Sequence, residues 1–189
     1  MTPSLAGVPT RIETRRLVLR AFEAADAEAF DALVMSSIDH LLPWQPWAAD
    51  EPHPMDQRRR DLGALGEQLR AGSEAHYAIT YAGDGMLLGS AALVPGASAG
   101  CIEVGYWLGV THTGCGYATE AARVLTHVGL ATLGLPRLEI WADEANDASN
   151  AVARRAGYAF ESTQQSYLDD AGEPPLMNVW VADGGWLAR

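Results

Sequence analysis

The stretch THTGCGYATEAAR, from Thr111 to Arg123, decides the fold of this chain. It contains two closely spaced glycines, Gly114 and Gly116, and it runs directly into a segment, Ala118 to Leu133, whose apolar residues recur at helical spacing. The preceding segment, residues 101–110, has the composition of a strand. The glycines are therefore predicted to form a turn between a strand and the N-terminus of a helix.

A turn in this position can bind an anion. The first turn of a helix has N–H groups without intrahelical partners and a partial positive charge. Glycines let successive amides point into one concavity without a Cβ in the way. A Walker-type loop would need GK[ST], which is absent, and a dinucleotide fingerprint would need a third glycine where the chain has Thr119. On spacing alone, a phosphate-binding loop and a turn that only packs helix against strand stay equally open.

Length, charge and composition narrow the class of protein. A chain of 189 residues is most simply one domain. Its net charge of −11 disfavours nucleic acid and anionic membranes as partners and favours cationic ones. No apolar run reaches the roughly 18 residues of a membrane-spanning helix, and the first residues do not form a secretory signal, so a cytoplasmic location is predicted. Two isolated cysteines and five histidines without HxxxH or HxH spacing predict no metal site.

The order of predicted elements gives the fold class. Residues 1–10 are predicted as a flexible tail and residues 11–189 as a single domain. Strands are predicted over residues 11–22, 76–80, 86–94, 101–110, 135–142, 158–168 and 175–182. Helices are predicted over residues 26–35, 55–72, 118–133 and 148–156. This order predicts an α/β (α+β) fold with a mixed, mostly antiparallel central sheet of about seven strands flanked by helices.

The segment from Gly105 to Tyr158 resembles the acetyl-CoA-binding core of the GNAT N-acetyltransferases, in particular their RimJ/RimL-like branch. The family's acyl-CoA signature, Q/R-x-x-G-x-G/A, reads TGCGYA here, with Thr113 at its first position. The later pair Asn146-x-x-Ser149 and the order of elements are also typical of this branch. Thr113 departs from the signature, because the family has Arg or Gln there to support the pyrophosphate.

The resemblance implies an acetyl-CoA-dependent N-acetyltransferase without a metal, which moves an acetyl group directly to a primary amine in a ternary complex. In this family the strands before the loop and after the helix splay apart, and pantetheine lies in the gap. A bulge at Gly105 is predicted to open that gap. The residues implied at the CoA site are Leu108, Gly109, Val110, Thr113, Gly114, Cys115, Gly116, Tyr117, Ala118, Thr119, Asn146 and Ser149.

Acetyl transfer requires a neutral amine, and a free α-amino group has a pKa of roughly 7.7–8.0 while that of lysine is about 10.4. A carboxylate near the acetyl group would serve as base. Glu103 is the predicted base, on the same strand face as Gly105 and Trp107. The alternative is that Glu103 is only a solvated carboxylate on the sheet.

The leaving thiolate needs a proton. Ser149 resembles the residue that supplies it in the RimL-like branch, although the same segment also fits a helix cap. Tyr158 and Tyr167 are weaker candidates for this role. Cys115 is predicted to be a bystander, because it occupies a variable position of the signature and the family transfers the acetyl group directly.

A Pro/Trp-rich segment, HLLPWQPWAADEPHP, is predicted to be irregular and to line the acceptor pocket, as its counterpart does in the family. Trp44, Trp47 and Trp107 are the predicted acceptor-binding residues. Aromatic walls on an acidic protein favour a cationic acceptor with an apolar body, such as a protein N-terminus, a polyamine or an aminated antibiotic. The alternatives are a non-catalytic acyl-CoA sensor or interaction module and an antibiotic or self-resistance acetyltransferase. A homodimer is the expected assembly.

Overall fold

The structure, a computed structural model, describes residues 4–96, 100–166 and 174–188. One sheet holds eight strands in the order β1-β2-β3-β4-β5-β6-β8-β7. The strands are β1 Arg11–Glu13, β2 Leu17–Ala21, β3 Ala75–Tyr81, β4 Leu87–Pro95, β5 Ile102–Leu108, β6 Arg137–Asp143, β7 Ala159–Gln165 and β8 Leu176–Asp183. Neighbouring strands are antiparallel except β5 and β6, which are parallel. The predicted mixed, mostly antiparallel sheet is confirmed, with one strand more than predicted.

The extra strand comes from the N-terminal segment 11–22, which was predicted as one strand and folds as a hairpin of β1 and β2. The Thr14 N–H donates to the Leu17 carbonyl at 2.9 Å, and the Thr14 hydroxyl accepts from the Leu17 N–H at 3.0 Å. A threonine side chain thus closes a turn that contains neither glycine nor proline. The turn lies in a run of four polar residues, 13–16, without glycine or proline, and the whole segment was therefore predicted as a single strand.

Five α-helices of the described residues flank the sheet. They are α1 Ala27–Met35, α2 Ile38–Leu41, α3 Met55–Ala71, α4 Tyr117–His127 and α5 Asp147–Ala156. Helices α1 and α3 cover one face, around Phe22, Phe30 and Leu62, whereas α4 and α5 cover the other. Helix α4 continues as a π-helical turn over Val128–Thr132, so the helix predicted over residues 118–133 is confirmed. None of the described helices is long and apolar enough to cross a membrane.

Two segments are more ordered than the sequence predicts. Residues 4–10 belong to the predicted tail, yet Leu5 is only 2% exposed and packs in the main core, and the Tyr77 hydroxyl donates to the Pro9 carbonyl at 2.6 Å. The Pro/Trp-rich segment, residues 40–54, begins with the last two residues of α2 and contains a 3-10 helix over Pro46–Asp50. A proline is compatible with the first turn of a helix, because the N–H that it lacks would have no partner there.

Strands β5 and β6 part soon after they meet. Only two residue pairs join them, Ile102 with Leu138 and Glu103 with Glu139, although both strands continue beyond this point. The predicted bulge at Gly105 is wrong, because β4 and β5 keep one continuous register through it. On its other edge β6 stays paired with β8 along its whole length, so the gap lies between β5 and β6 alone.

Candidate active site

The glycine turn forms an open cradle at the start of α4. Gly114 and Gly116 have φ angles of +74° and +79°, in the left-handed region that L side chains rarely adopt. A Cβ built on Gly114 would meet no atom within 4 Å, so this side of the loop faces open space. Gly116 is the N-cap of α4, and its carbonyl accepts from the Glu120 N–H at 3.1 Å. The N–H groups of the first helical turn have no intrahelical acceptor and are therefore available to an anion.

The gap between β5 and β6 opens at the same edge of the sheet as this loop. Parallel strands end at one edge, so the loop after β5 and the segment after β6 share it. That second segment begins α5, where Asn146 is the N-cap and its side-chain oxygen accepts from the Ser149 N–H at 3.0 Å. Asn146 thus caps helix α5 and holds Ser149 at its first turn.

Tyr106 is a further residue of the gap, which the sequence analysis missed. Its hydroxyl lies 3.0 Å from Oγ of Ser149 and 3.2 Å from the Ser149 carbonyl oxygen. Burial raises the pKa of Tyr106 to about 12, against the smaller opposing effect of the Ser149 hydrogen bond, so the phenol keeps its proton at neutral pH. Strand alternation could have found it, since it places Tyr106 on the face that packs against α4 and α5.

Hydrogen bonds at the end of β5 show which of its backbone groups face the gap. The Gly109 N–H donates to the Leu88 carbonyl at 2.9 Å, and the Val110 N–H donates to Oγ of Ser37 at 3.0 Å. In an antiparallel pair successive residues point their backbone groups alternately toward and away from the partner strand. Because Gly109 bonds toward β4, Leu108 points its N–H and C=O into the gap, and so does Tyr106.

Glu103 lies at the last position where β5 still pairs with β6, opposite Glu139. It is half-buried, on the face that also carries Gly105 and Trp107. A Cβ built on Gly105 would meet nothing within 4 Å, so the space between Glu103 and Trp107 is open. The two residues are four positions apart, which is about 13 Å along a strand.

Two of the three predicted acceptor tryptophans come together. The rings of Trp47 and Trp107 lie 5.5 Å apart, and Phe30 packs edge-on against Trp107 at the same distance. The Trp47 indole N–H donates to the Gln45 side chain at 2.9 Å. Trp44 is 37% exposed and makes no ring contact with any residue that the structure describes.

A buried ion pair anchors the segment that carries Trp47. Arg58 of α3 donates two hydrogen bonds to Glu51, one of them at 2.8 Å from Nη1, and a third to Asp31 at 3.3 Å. The Arg58 side chain is 6% exposed and that of Glu51 is 2% exposed. Burial by itself would raise the pKa of Glu51, but the hydrogen bonds and charge of Arg58 hold it below its usual value. Sequence reasoning missed this pair.

These features correspond to a known family. Residues 16–159 match the family described as Acetyltransferase (GNAT) domain. The chain belongs to the GNAT acetyltransferase family. It is 27% identical over 150 residues to "Probable N-acetyltransferase YjcK" of Bacillus subtilis (strain 168), a match that covers 78% of this chain and 82% of the relative.

Two solved GNAT-type structures share the fold. The microcin C7 self-immunity acetyltransferase MccE, in complex with acetyl-CoA and AMP, superimposes with a TM-score of 0.80 at 21% identity, over 95% of this chain and 98% of its own. RimL, a ribosomal L7/L12 α-N-protein acetyltransferase in complex with coenzyme A, superimposes with a TM-score of 0.78 at 20% identity, over 93% of this chain and 97% of its own. Both structures contain the acyl carrier or its acetylated form, and at this level of identity they show that the fold is shared.

The first residue of the GNAT signature, Thr113, is exposed and forms a hydrogen bond to its own loop. The Thr113 hydroxyl donates to the Val110 carbonyl at 2.9 Å and so stays within its own loop. Cys115 is exposed and forms no disulfide. Tyr117, Ala118 and Thr119 occupy the first turn of α4, as the signature requires.

Arg16, from the β1–β2 turn, reaches this GNAT loop and was missed by the sequence analysis. Its Nε donates to Oε2 of Glu120 at 2.7 Å, its Nη1 donates to the Cys115 carbonyl at 2.9 Å, and its guanidinium lies 4.8 Å from the centre of the Tyr117 ring. Glu120 also accepts from the Thr14 hydroxyl at 2.6 Å. Burial acts to raise the pKa of Glu120, but the hydrogen bonds from Thr14 and Arg16 outweigh it and lower that pKa.

Of the two weaker proton-donor candidates, Tyr158 forms a hydrogen bond within the core and Tyr167 lies outside the described residues. Tyr158 is buried and lies 2.6 Å from Oγ1 of Thr126, whose own proton goes to the Ala122 carbonyl, so the Tyr158 hydroxyl donates to Thr126. The hydroxyl proton of Tyr158 is therefore engaged in a hydrogen bond inside the core. Tyr167 lies in 167–173, outside the described residues. Among the described ranges, no cluster of three or more His, Cys, Asp or Glu side chains is placed to hold a metal ion.

Proposed function

We propose that this GNAT protein is an acetyl-CoA-dependent N-acetyltransferase of the RimJ/RimL-like branch that transfers an acetyl group directly to a primary amine. The observation that carries the proposal is the glycine cradle at the mouth of the β5–β6 gap. The residues present fit acetyl-CoA. The first-turn amides of α4 would hold the pyrophosphate, and the outward backbone groups of Leu108 and Tyr106 would pair with pantetheine.

When bound, acetyl-CoA supplies the thioester that acylates the amine. Glu103, at the closed end of the gap, accepts a proton from the ammonium group of the acceptor. Ser149 donates its hydroxyl proton to the departing sulfur and recovers a proton from solvent through Tyr106. Over the whole reaction the amine nitrogen gains the acetyl group and loses two protons. The net products are the amide, the thiol of CoA, which carries one proton on its sulfur, and one proton released to solvent.

The acceptor proposed for this site is a cationic amine with an apolar body, either a protein N-terminus or a small molecule. The Trp47–Trp107 pair offers aromatic faces beside the open space at Gly105, and the chain carries a net charge of −11. RimL acts on an α-amino group and MccE is a self-immunity enzyme, so both acceptor classes occur on this fold. The cytoplasmic location and the homodimer stay predictions.

The test is a panel of amines offered with acetyl-CoA, in which released CoA is measured by its thiol and the product by mass spectrometry. The panel contains peptides with free N-termini, polyamines and aminated antibiotics. We expect acceptor-dependent CoA release with at least one of these classes. A chain that binds CoA in calorimetry but releases none with any amine is a sensor or interaction module, and the proposal is then wrong.

A further inference from the structure

We propose that Arg16 supplies the pyrophosphate-binding cation that the acyl-CoA signature of this chain lacks at Thr113. The inference rests on the proposed function, because it assigns a further residue to the same CoA site. It concerns a residue that precedes the signature by 97 positions and belongs to a different strand pair, β1–β2.

Thr113 cannot perform the task itself. Its hydroxyl is bonded to the Val110 carbonyl, and its side chain carries no charge. The global field is unfavourable too, because the net charge of −11 repels an anionic ligand. The amides of the loop and of the first turn of α4 therefore need a local positive charge to favour a pyrophosphate there.

Arg16 is held in place to provide that charge. Nε and Nη1 are bonded to Glu120 and to the Cys115 carbonyl, and the Tyr117 ring supports the guanidinium plane. Nη2 has no hydrogen-bond partner among the described residues, and it lies 3.5 Å from where a Cβ on Gly116 would stand. The side chain is 31% exposed, so Nη2 keeps two N–H donors beside the signature glycine and within reach of a ligand.

Arg16 also neutralises the carboxylate of Glu120. A carboxylate in the first turn of α4 competes with a bound anion for the positive end of the helix. The ion pair with Arg16 removes that competition, so substitution of Arg16 would both delete a donor and expose the charge of Glu120. Any test has to separate these two effects.

Calorimetry of CoA and of pantetheine, which lacks the pyrophosphate, separates them. We expect Arg16→Gln to raise the Kd for CoA by about tenfold or more, as for the loss of a hydrogen bond to a charged group, and to leave the Kd for pantetheine unchanged. The double variant Arg16→Gln, Glu120→Gln should still bind CoA weakly, with a raised Kd. Adding Thr113→Arg to Arg16→Gln should restore the Kd for CoA. Arg15→Gln is the matched control, because Arg15 is exposed and carries the same charge one residue away.

The outcomes that overturn the inference are distinct from a failure of the proposed function. If the unsubstituted chain binds no CoA, the proposed function fails as well. Arg16 does not bind the pyrophosphate if the unsubstituted chain and Arg16→Gln bind CoA equally well. The same conclusion follows if adding Glu120→Gln to Arg16→Gln restores the affinity for CoA. If Arg16→Gln does not fold, as judged by circular dichroism, Arg16→Lys carries the same test, because the single ammonium nitrogen lacks the planar fork with which Nε, Nη1 and Nη2 reach Glu120, the Cys115 carbonyl and a phosphate.

Discussion

The phenol oxygen of Tyr106 lies 3.0 Å from Oγ of Ser149, and the two residues are 43 positions apart in the chain. Their contact joins strand β5 to helix α5 on the side of the gap where the strands have parted. The raised pKa of Tyr106 keeps a proton at this contact throughout the neutral range. We propose that these two hydroxyls act together as the proton donor to the leaving sulfur.

If the two hydroxyls act as one unit, Tyr106→Phe and Ser149→Ala should each lower kcat by about tenfold or more. The double variant should be no slower than the slower single variant, because residues that act together are not additive. The measurement is kcat at saturating acetyl-CoA and amine. The Kd for CoA serves as the control and should stay unchanged. Losses that multiply in the double variant would show two independent roles.

Glu103→Gln tests the base. At pH 7 we expect kcat/KM for an α-amine to fall at least about tenfold, and this loss should shrink as the pH rises through roughly 7.7–8.0, where the amine loses its proton unaided. Glu67→Gln is the control, because Glu67 is exposed on α3. A ratio of variant to unsubstituted rates that does not change with pH would rule Glu103 out as the base.

The aromatic pair should matter for the acceptor and not for CoA. Trp47→Ala is expected to raise KM for a cationic amine several-fold to about tenfold, in the range of a cation–π contact, with the Kd for CoA unchanged. Trp44→Ala is the matched control, because Trp44 is exposed and lies outside the ring cluster. Equal effects of the two substitutions would contradict the assignment of the pocket to Trp47 and Trp107.

The Arg58–Glu51 pair should make the stability of the fold sensitive to acid. The folded-state pKa of Glu51 is lowered, so the pair stabilises the fold at pH values above about 4.3, the pKa of an unfolded glutamate. That contribution is lost as the pH falls through the lower folded-state pKa. It should appear as a decline in the free energy of unfolding, measured with urea between pH 7 and pH 3.

The substitution Glu51→Gln checks this origin. It leaves the Arg58 guanidinium buried with Asp31 as its remaining carboxylate, and we expect a loss of about 3 kcal/mol at pH 7. The decline of stability with acid should become shallower than in the unsubstituted chain. An unchanged slope would show that other carboxylates dominate the acid response.

Cys115 provides a test of direct transfer. The chain contains no lysine, and Cys101 is buried, which raises the pKa of its thiol to about 12. Cys115 is thus the accessible cysteine on which a covalent acetyl intermediate would form. Intact mass spectrometry after incubation with acetyl-CoA should show no acetyl group on Cys115, and Cys115→Ser should keep its turnover. An acetyl-Cys115 species that forms and decays at the rate of turnover would establish a two-step mechanism instead.

Sequence patterns predicted the parts of the fold that depend on neighbouring residues. The turn at Gly114 and Gly116 and the helix behind it follow from backbone freedom and from apolar periodicity, and the structure has both. The N-terminal hairpin was missed because its turn depends on the hydroxyl of Thr14 and contains neither glycine nor proline. The bulge assigned to Gly105 was wrong because the same glycine also fits a regular strand beside an open space.

The sequence by itself determined the glycine loop, the helix that follows it and the Asn146–Ser149 cap, because each is fixed by contacts within one or two turns of chain. Only the tertiary structure decided that Arg16 reaches the loop, that Tyr106 meets Ser149 and that Trp47 packs on Trp107. Helix α4 lies across β2, β4 and β5, and this crossing brings Glu120 to a residue 104 positions away. Periodicity shows which face of an element is buried, but the partner of that face follows from the order of the strands in the sheet.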